Sequence, residues 1–224
     1  MPRRKFLSDA DLDRITEATR RAELRTSAEI VTVIATRAGA YTGHVLLAAA
    51  VVLFLFSVAY LTFIKPIGSF LKQFLWAFDT NHALWTLVIV QAAVFLLTYA
   101  ALSTWPGLKR LIISKKDQIA KVHSRAGSEF FGHHVAETAG ESGVLIYIAL
   151  FERRVELLVD SGIAAVVPRE TWKDVVEDII RGVKKRTLVD VLCGQIERIG
   201  EVLSKNFPRK ERDINELPDR PVLE

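Results

Sequence analysis

The sequence predicts an α/β soluble domain interrupted by a membrane hairpin, and three observations carry that prediction. There is no Asp, Glu, Lys or Arg between Arg37 and Lys65, nor between Asp79 and Lys109. Downstream, "GVLIYIALFERRVELLVDSGI" (143–163) has the pattern of two strands around a charged turn. Helix-spaced apolar residues occupy segments on both sides of the uncharged stretches.

Apolar residues are half of the chain, and the mean hydropathy of +0.23 is high for a soluble protein. They concentrate in "VLLAAAVVLFLFSVAYLTFI" (45–64) and "ALWTLVIVQAAVFLLTYAALS" (83–103). As a helix, each is long enough to cross a hydrocarbon core of roughly 30 Å. The competing reading is a pair of buried core helices. The remaining chain offers too little apolar surface to cover two such helices on all sides. Residues near Met1 do not read as a signal peptide, because the first forty are polar and charged.

Charge placement orients the hairpin. The flank at 1–43 carries Arg3, Arg4, Lys5, Arg14, Arg20, Arg21, Arg25 and Arg37, and the second flank opens with Lys109, Arg110, Lys115, Lys116, Lys121 and Arg125. The loop between the spans holds only Lys65 and Lys72. The positive-inside rule therefore predicts a two-span protein of the bacterial inner membrane with cytoplasmic N- and C-termini. Contact of these bases with the lipid bilayer accounts for the net charge of +4 and pI near 9.2. No nucleic-acid motif is present, so no nucleic-acid partner is expected. Cys193 is the single cysteine, which excludes an intrachain disulfide and suits a buried thiol.

In the loop, Ile67, Phe70, Leu71, Phe74, Leu75 and Phe78 recur at helical spacing. They predict a helix over 66–78, lying either in the outer interface, with Trp76 and Trp85 as anchors, or against a partner. Neither span holds an acid or a base. Gln91 and hydroxyls such as Ser57 are the most polar groups at mid-depth, so the pair reads as an anchor and not as an ion pathway.

The soluble elements follow in order. Ser8 stands three residues before Asp11, a capping-box start, and Leu12, Ile15, Ala18, Thr19 and Ala22 then share one helical face. "SAEIVTVIATRAG" reads as a strand too apolar to stand alone. After Trp105-Pro106-Gly107, residues 113–137 read as a helix with Ile119, Val122, Ala126 and Phe130 along one stripe. Val144 to Phe151 suits a strand buried on both faces, and Val155, Leu157 and Val159 alternate with Glu156, Leu158 and Asp160. Pro168 opens a helix that turns Trp172, Val175, Val176, Ile179 and Ile180 inward. A last helix carries Leu188, Val191, Leu192, Ile196, Ile199 and Leu203, and the tail "RKERDINELPDRPVLE" is polar and proline-rich, with poor order expected.

"TSAEIVTVIATR", the membrane hairpin, "GVLIYIALFERRVELLVDSGI", a Trp-containing helix and the "NELPDRPVL" tail, in this order over residues 6–222, resemble the bacterial TPM-domain family of membrane proteins. The resemblance implies a three-layer α/β sandwich with a small mixed sheet between helices and Glu29's strand beside the hairpin. It divides the chain into 1–43 and 105–207 as two parts of one TPM-like domain, 44–104 as the transmembrane hairpin, and 208–224 as a polar tail. It further implies an interaction, assembly or quality-control module for another membrane protein or complex. Some family members carry acid phosphatase activity with bound calcium.

The residues set the terms of that chemistry. Where typical members have a Gly-aromatic-Gly turn after the second hairpin strand, this chain has Asp160-Ser161-Gly162. Asp160 either brings a carboxylate to a calcium or magnesium ion or a reacting phosphate, or serves as an Asx turn or helix cap. Glu29 either joins it on one rim or pairs with an arginine. Arg153 or Arg154 either clamps a phosphate or belongs, with Glu152, to a solvated turn. The catalytic candidates are thus Asp160, Glu29, Arg153 and Arg154, and the metal candidates Asp160 and Glu29. Adjacent His133 and His134 point apart and cannot form one metal pair, and His123 stands alone. "GAYTGH" lacks the Lys-Ser/Thr ending of a phosphate loop. With no strong catalytic spacing, an interaction module is the leading expectation and a metal-dependent acid phosphatase the alternative.

Overall fold

The computed structural model describes the backbone of residues 7–74, 80–138, 140–210 and 214–224, and the side chains of these positions apart from 64–84 and 86. In chain order the elements are α1 (Asp9–Glu23), β1 (Glu29–Ala35), α2 (Thr42–Phe74), α3 (Thr80–Thr104), α4 (Pro106–Ile112) and α5 (Lys115–Gly132). There follow a 3-10 turn (Val135–Glu137), β2 (Gly143–Ala149), β3 (Arg154–Val159), α6 (Ser161–Val166), a second 3-10 turn (Arg169–Trp172), α7 (Lys173–Lys185), α8 (Leu188–Asn206) and β4 (Val222–Leu223). They form two compact units, Met1–Gly39 with Lys115–Glu224, and Ala40–Ser114.

The first unit is a three-layer α/β sandwich around a mixed sheet of order β3-β2-β1-β4. β1 runs parallel to β2 and to β4, and β2 runs antiparallel to β3. Strand alternation divides the core. On one face, Ile30, Ile34, Val144, Ile146, Ile148 and Val155 pack with α1, α6, α7 and α8. On the other, Val31, Val33, Ala35, Leu145, Tyr147 and Ala149 pack with α5. β1 and β2 are buried along their whole length, as strands covered on both faces must be.

Local chemistry explains the helices. The Asp11 amide donates to Ser8 Oγ at 3.1 Å and the Ser8 amide donates to Asp11 Oδ2 at 2.9 Å, the reciprocal capping box that the spacing predicts. Leu12, Ile15, Ala18, Thr19 and Ala22 are the buried face of α1. α1 lies on α8 so closely that a Cβ at Gly200 would stand 2.7 Å from Ala22 Cβ. Surface pairs Arg14–Asp190 and Arg21–Glu197 line this seam. Exposed pairs contribute only about 0.2–1 kcal/mol each, so burial of the two apolar faces dominates.

Four details depart from the sequence reading. α5 stops at Gly132, and His134, at φ 56°, turns the chain into the 3-10 segment. Ile119 is half exposed, while Gln118 and Glu129 join Val122, Ala126 and Phe130 on the buried stripe. Pro168 starts a 3-10 turn, and α7 begins at Lys173 with Val176 and Ile180 at the margin of the core. The C-terminal segment is part of the sheet. Val222 and Leu223 pair with Val33 and Ile34, the Glu224 amide donates to the Ile34 carbonyl at 3.1 Å, and the Thr36 amide donates to the Glu224 carbonyl at 2.8 Å. Without this strand, the outer edge of β1 near its C-terminal end would lack backbone partners.

In the second unit α2 packs against α3, and α4 belongs here, so the boundary between units falls after Ser114 and not at residue 105. Thr42–Phe63 and Leu87–Thr104 are long and apolar enough to cross a membrane, with mean hydropathies of 2.5 and 2.0. Gln91 Nε2 donates to Ser57 Oγ at 3.0 Å, and Ser57 Oγ donates to the Leu53 carbonyl at 2.8 Å. The two most polar mid-helix groups therefore satisfy each other across the hairpin. The apolar side chains expected of a separate helix over 66–78 lie outside the described side chains, although α2 itself continues through Phe74.

Candidate functional site

Two of the four residues singled out in the sequence meet at one end of the sheet. Glu29 opens β1 opposite Gly143 of β2, and the Asp160 amide donates to the Gly143 carbonyl at 2.9 Å just past β3. Glu29 and Asp160 thus flank Gly143, two interstrand spacings or about 10 Å apart along the backbone row. Only glycine fits between them, because a Cβ at position 143 would lie 2.1 Å from the Val135 carbonyl oxygen.

Each acid is committed locally. Asp160 N-caps α6, with Oδ1 accepting from the Ser161 amide at 2.6 Å and from Ser161 Oγ at 3.3 Å. Ser161 Oγ also donates to Glu141 Oε2 at 2.7 Å, tying this corner to the loop before β2. A cap of this kind contributes about 1 kcal/mol. Glu29 is buried, and its Oε1 accepts from the Glu216 amide of the C-terminal segment at 3.2 Å. One calcium ion holding both acids would need oxygens within about 5 Å of each other and four or more further oxygen ligands. The two carboxylates serve different neighbours instead, and among the described residues no group of three or more His, Cys, Asp or Glu is placed to hold a metal ion. Glu29 and Asp160 thus have no third such ligand beside them among the described residues to complete a calcium or magnesium site.

The arginines stand elsewhere. β3 spans six residues, Arg154–Val159, about 20 Å at roughly 3.3 Å per residue, so Arg153 and Arg154 lie at the opposite end of the strand from Asp160. Arg153 sits at φ 53° in the turn and is exposed. Glu152, read from the sequence as a solvated turn residue, is buried, and its Oε1 accepts from the Ala38 amide at 3.0 Å, fastening the exit of β1 to the hairpin. The four candidates do not converge on one substrate position. The histidines serve separate carboxylates: His123 with Glu156 at 2.9 Å, His133 with Glu129 at 3.2 Å and His134 with Glu137 at 2.8 Å.

The structure also assembles two carboxylate groupings that sequence spacing does not show. In the first, Glu23 at the end of α1 accepts from the Ile30 amide at 2.8 Å and lines a small cavity of about 70 Å³ with Glu29, Asp219, Arg20 and Arg209. Burial, reinforced by the charges of Glu29 and Asp219, pushes the Glu23 carboxyl up to about 9. In the second, Arg125 bridges Glu129 and Glu224 at 3.0 and 2.8 Å. Burial and the Glu224 charge raise the Glu129 carboxyl, and burial raises the Tyr147 phenol. Both groupings use the C-terminal segment, which carries no apolar periodicity to announce its return. Cys193 is partly buried against the core, and burial raises its thiol.

No protein-family profile and no curated protein matches the sequence. Among solved structures, the NMR structure of BA42 protein from the psychrophilic bacterium Bizionia argentinensis matches with a TM-score of 0.57 at 20% identity, covering 100% of both chains. At that identity the likeness is one of fold.

Glu23 yields a pH prediction. Its carboxyl titrates near 4.5 when unperturbed and near 9 in the folded chain, so its stabilising contribution is whole below about 4.5 and is lost as pH rises towards 9. The denaturation midpoint of the parent should fall from pH 5 to 9, and Glu23→Gln should flatten that fall. Parallel profiles for parent and variant would contradict the assignment.

Proposed function

We infer that the chain is a membrane-anchored, TPM-like interaction module serving the assembly or quality control of a membrane protein complex in the bacterial inner membrane. One observation carries the anchor: only 11% of the Thr42–Phe63 window and none of the Leu87–Thr104 window is buried within the protein. The core helix of a soluble protein hides its apolar side chains. These helices turn Leu47, Phe54, Leu55, Leu61, Leu96 and Leu97 outward, a surface that water disfavours and hydrocarbon accepts. At 1.5 Å per residue the two windows span about 33 and 27 Å, close to the thickness of a bilayer core. Basic flanks favour cytoplasmic termini.

The separation of Arg153 and Arg154 from Glu29 and Asp160 favours binding over phosphate-ester chemistry. Hydrolysis of a phosphate monoester needs charge stabilisation and a positioned nucleophile at one place. This chain spreads those groups over both ends of its sheet and ties Asp160, Glu29 and Glu152 into structural bonds.

Two experiments test the reading. On a Cys193→Ser background, an impermeant thiol reagent applied to intact spheroplasts should label Asn81→Cys and spare Ser8→Cys; labelling at position 8 overturns the orientation. After crosslinking in cells and purification in mild detergent, at least one other membrane protein should accompany the chain, and repeated recovery of the chain alone would count against an interaction module.

A further inference from the structure

β3 is an edge strand, and among the described residues no strand pairs with its outer side. Because the Asp160 amide bonds to Gly143 of β2, the even-numbered residues of β3 direct their backbone groups inward. Val155, Leu157 and Val159 direct theirs outward. Beside Val155, Glu156 and Leu157 runs an open groove of about 390 Å³, walled by Trp172, Lys173 and Val176. β3 is lightly protected for an edge, its charges being Arg154 at its start and Glu156. It contains no proline, lysine or bulge, and its Glu156 is engaged by His123 of α5.

We propose that a second copy of this chain docks on that edge, β3 against β3 in antiparallel register about Leu157, joining two four-stranded sheets into one. The register follows from the strand itself. With Leu157 opposite Leu157 of the copy, Val155 faces Val159 and Val159 faces Val155, so every outward backbone group enters a bonded pair. A shift of two residues either way leaves one of the three outward residues of each strand facing a residue beyond β3. The same register sets Arg154 opposite Asp160 of the copy, on the α5 side of the sheet. Each carries a buried polar atom with no hydrogen-bond partner among the described residues, Nε of Arg154 and Oδ2 of Asp160. Arg154 is half-buried and has the long, flexible side chain, so it does the reaching. This complementarity within one strand, positive at its start and negative at its end, selects a copy of the chain over an unrelated strand.

The test uses the full chain in nanodiscs. Leu157→Cys on the Cys193→Ser background places two thiols at a bonded antiparallel pair, where the Cα separation of about 5.5 Å suits a disulfide. Mild oxidation should join the copies at least tenfold faster than with Leu158→Cys, whose opposite neighbour is Glu156. In sedimentation of the uncrosslinked protein, Arg154→Glu sets two acids face to face and should weaken the dimer at least tenfold. Adding Asp160→Asn should restore part of the loss while keeping a capping side chain on α6. Should Leu157→Cys fail to fold, a Val155→Cys/Val159→Cys double variant tests the same register. A monomer in nanodiscs overturns the proposal. So does a dimer joined through its membrane helices, whose Leu157→Cys crosslinks no faster than Leu158→Cys, or one indifferent to Arg154→Glu.

Discussion

Everything in the soluble unit depends on β1 finding β2. These strands pair in parallel over seven residues, from Glu29 opposite Gly143 to Ala35 opposite Ala149. Parallel pairing demands a crossover, and here that crossover contains the entire hairpin unit as well as α5. Neither strand is stable alone, since both are apolar on both faces. Together they carry the two cores, and the pairing continues into the turn, where the Leu150 and Phe151 amides donate to the Ala35 and Thr36 carbonyls. The contact is distant in sequence, so its loop closure is costly, although that cost grows only slowly with loop length. This is why a large apolar insertion is compatible with one folded domain.

The same ladder decides what the candidate polar residues can do. Glu29, Gly143 and Asp160 are set in one row by register, and Glu152, Arg153 and Arg154 are set at the far end by the length of β3. The acids then become structural. Asp160 caps α6, Glu29 holds the returning C-terminal segment, and Glu152 holds the exit of β1. The strained-looking turn at Arg153, with φ 53°, follows from reversing the chain between β2 and β3 with no glycine available. A charged turn therefore buries one member and presents the next.

Much of this was legible in the residues. The capping box at Ser8 and Asp11, the alternation of β3, the doubly apolar β2 and the two uncharged stretches each have a strong local signature. What escaped was non-local. The two-residue β4 has no periodicity, and its bonds to Ile34 and Thr36 depend on an edge that exists only after folding. Glu23 looks like an ordinary charge on the polar end of a helix until burial and two neighbouring acids hold its proton. The site candidates were individually visible, but their separation follows from strand register, which no single segment encodes.

The central claim is that Met1–Gly39 and Lys115–Glu224 make one unit around the β1–β2 ladder. Replacing residues 40–114 by a flexible Gly/Ser linker of about 12 residues, able to span roughly 20 Å, isolates that unit. Hydrogen exchange on the resulting protein in plain buffer is the direct measurement. A soluble, monodisperse product whose Ile30–Ala35 and Val144–Ala149 amides exchange slowly is the predicted result. Aggregation in the absence of detergent, or exchange of the Ile30–Ala35 amides at the unfolded rate, would contradict it.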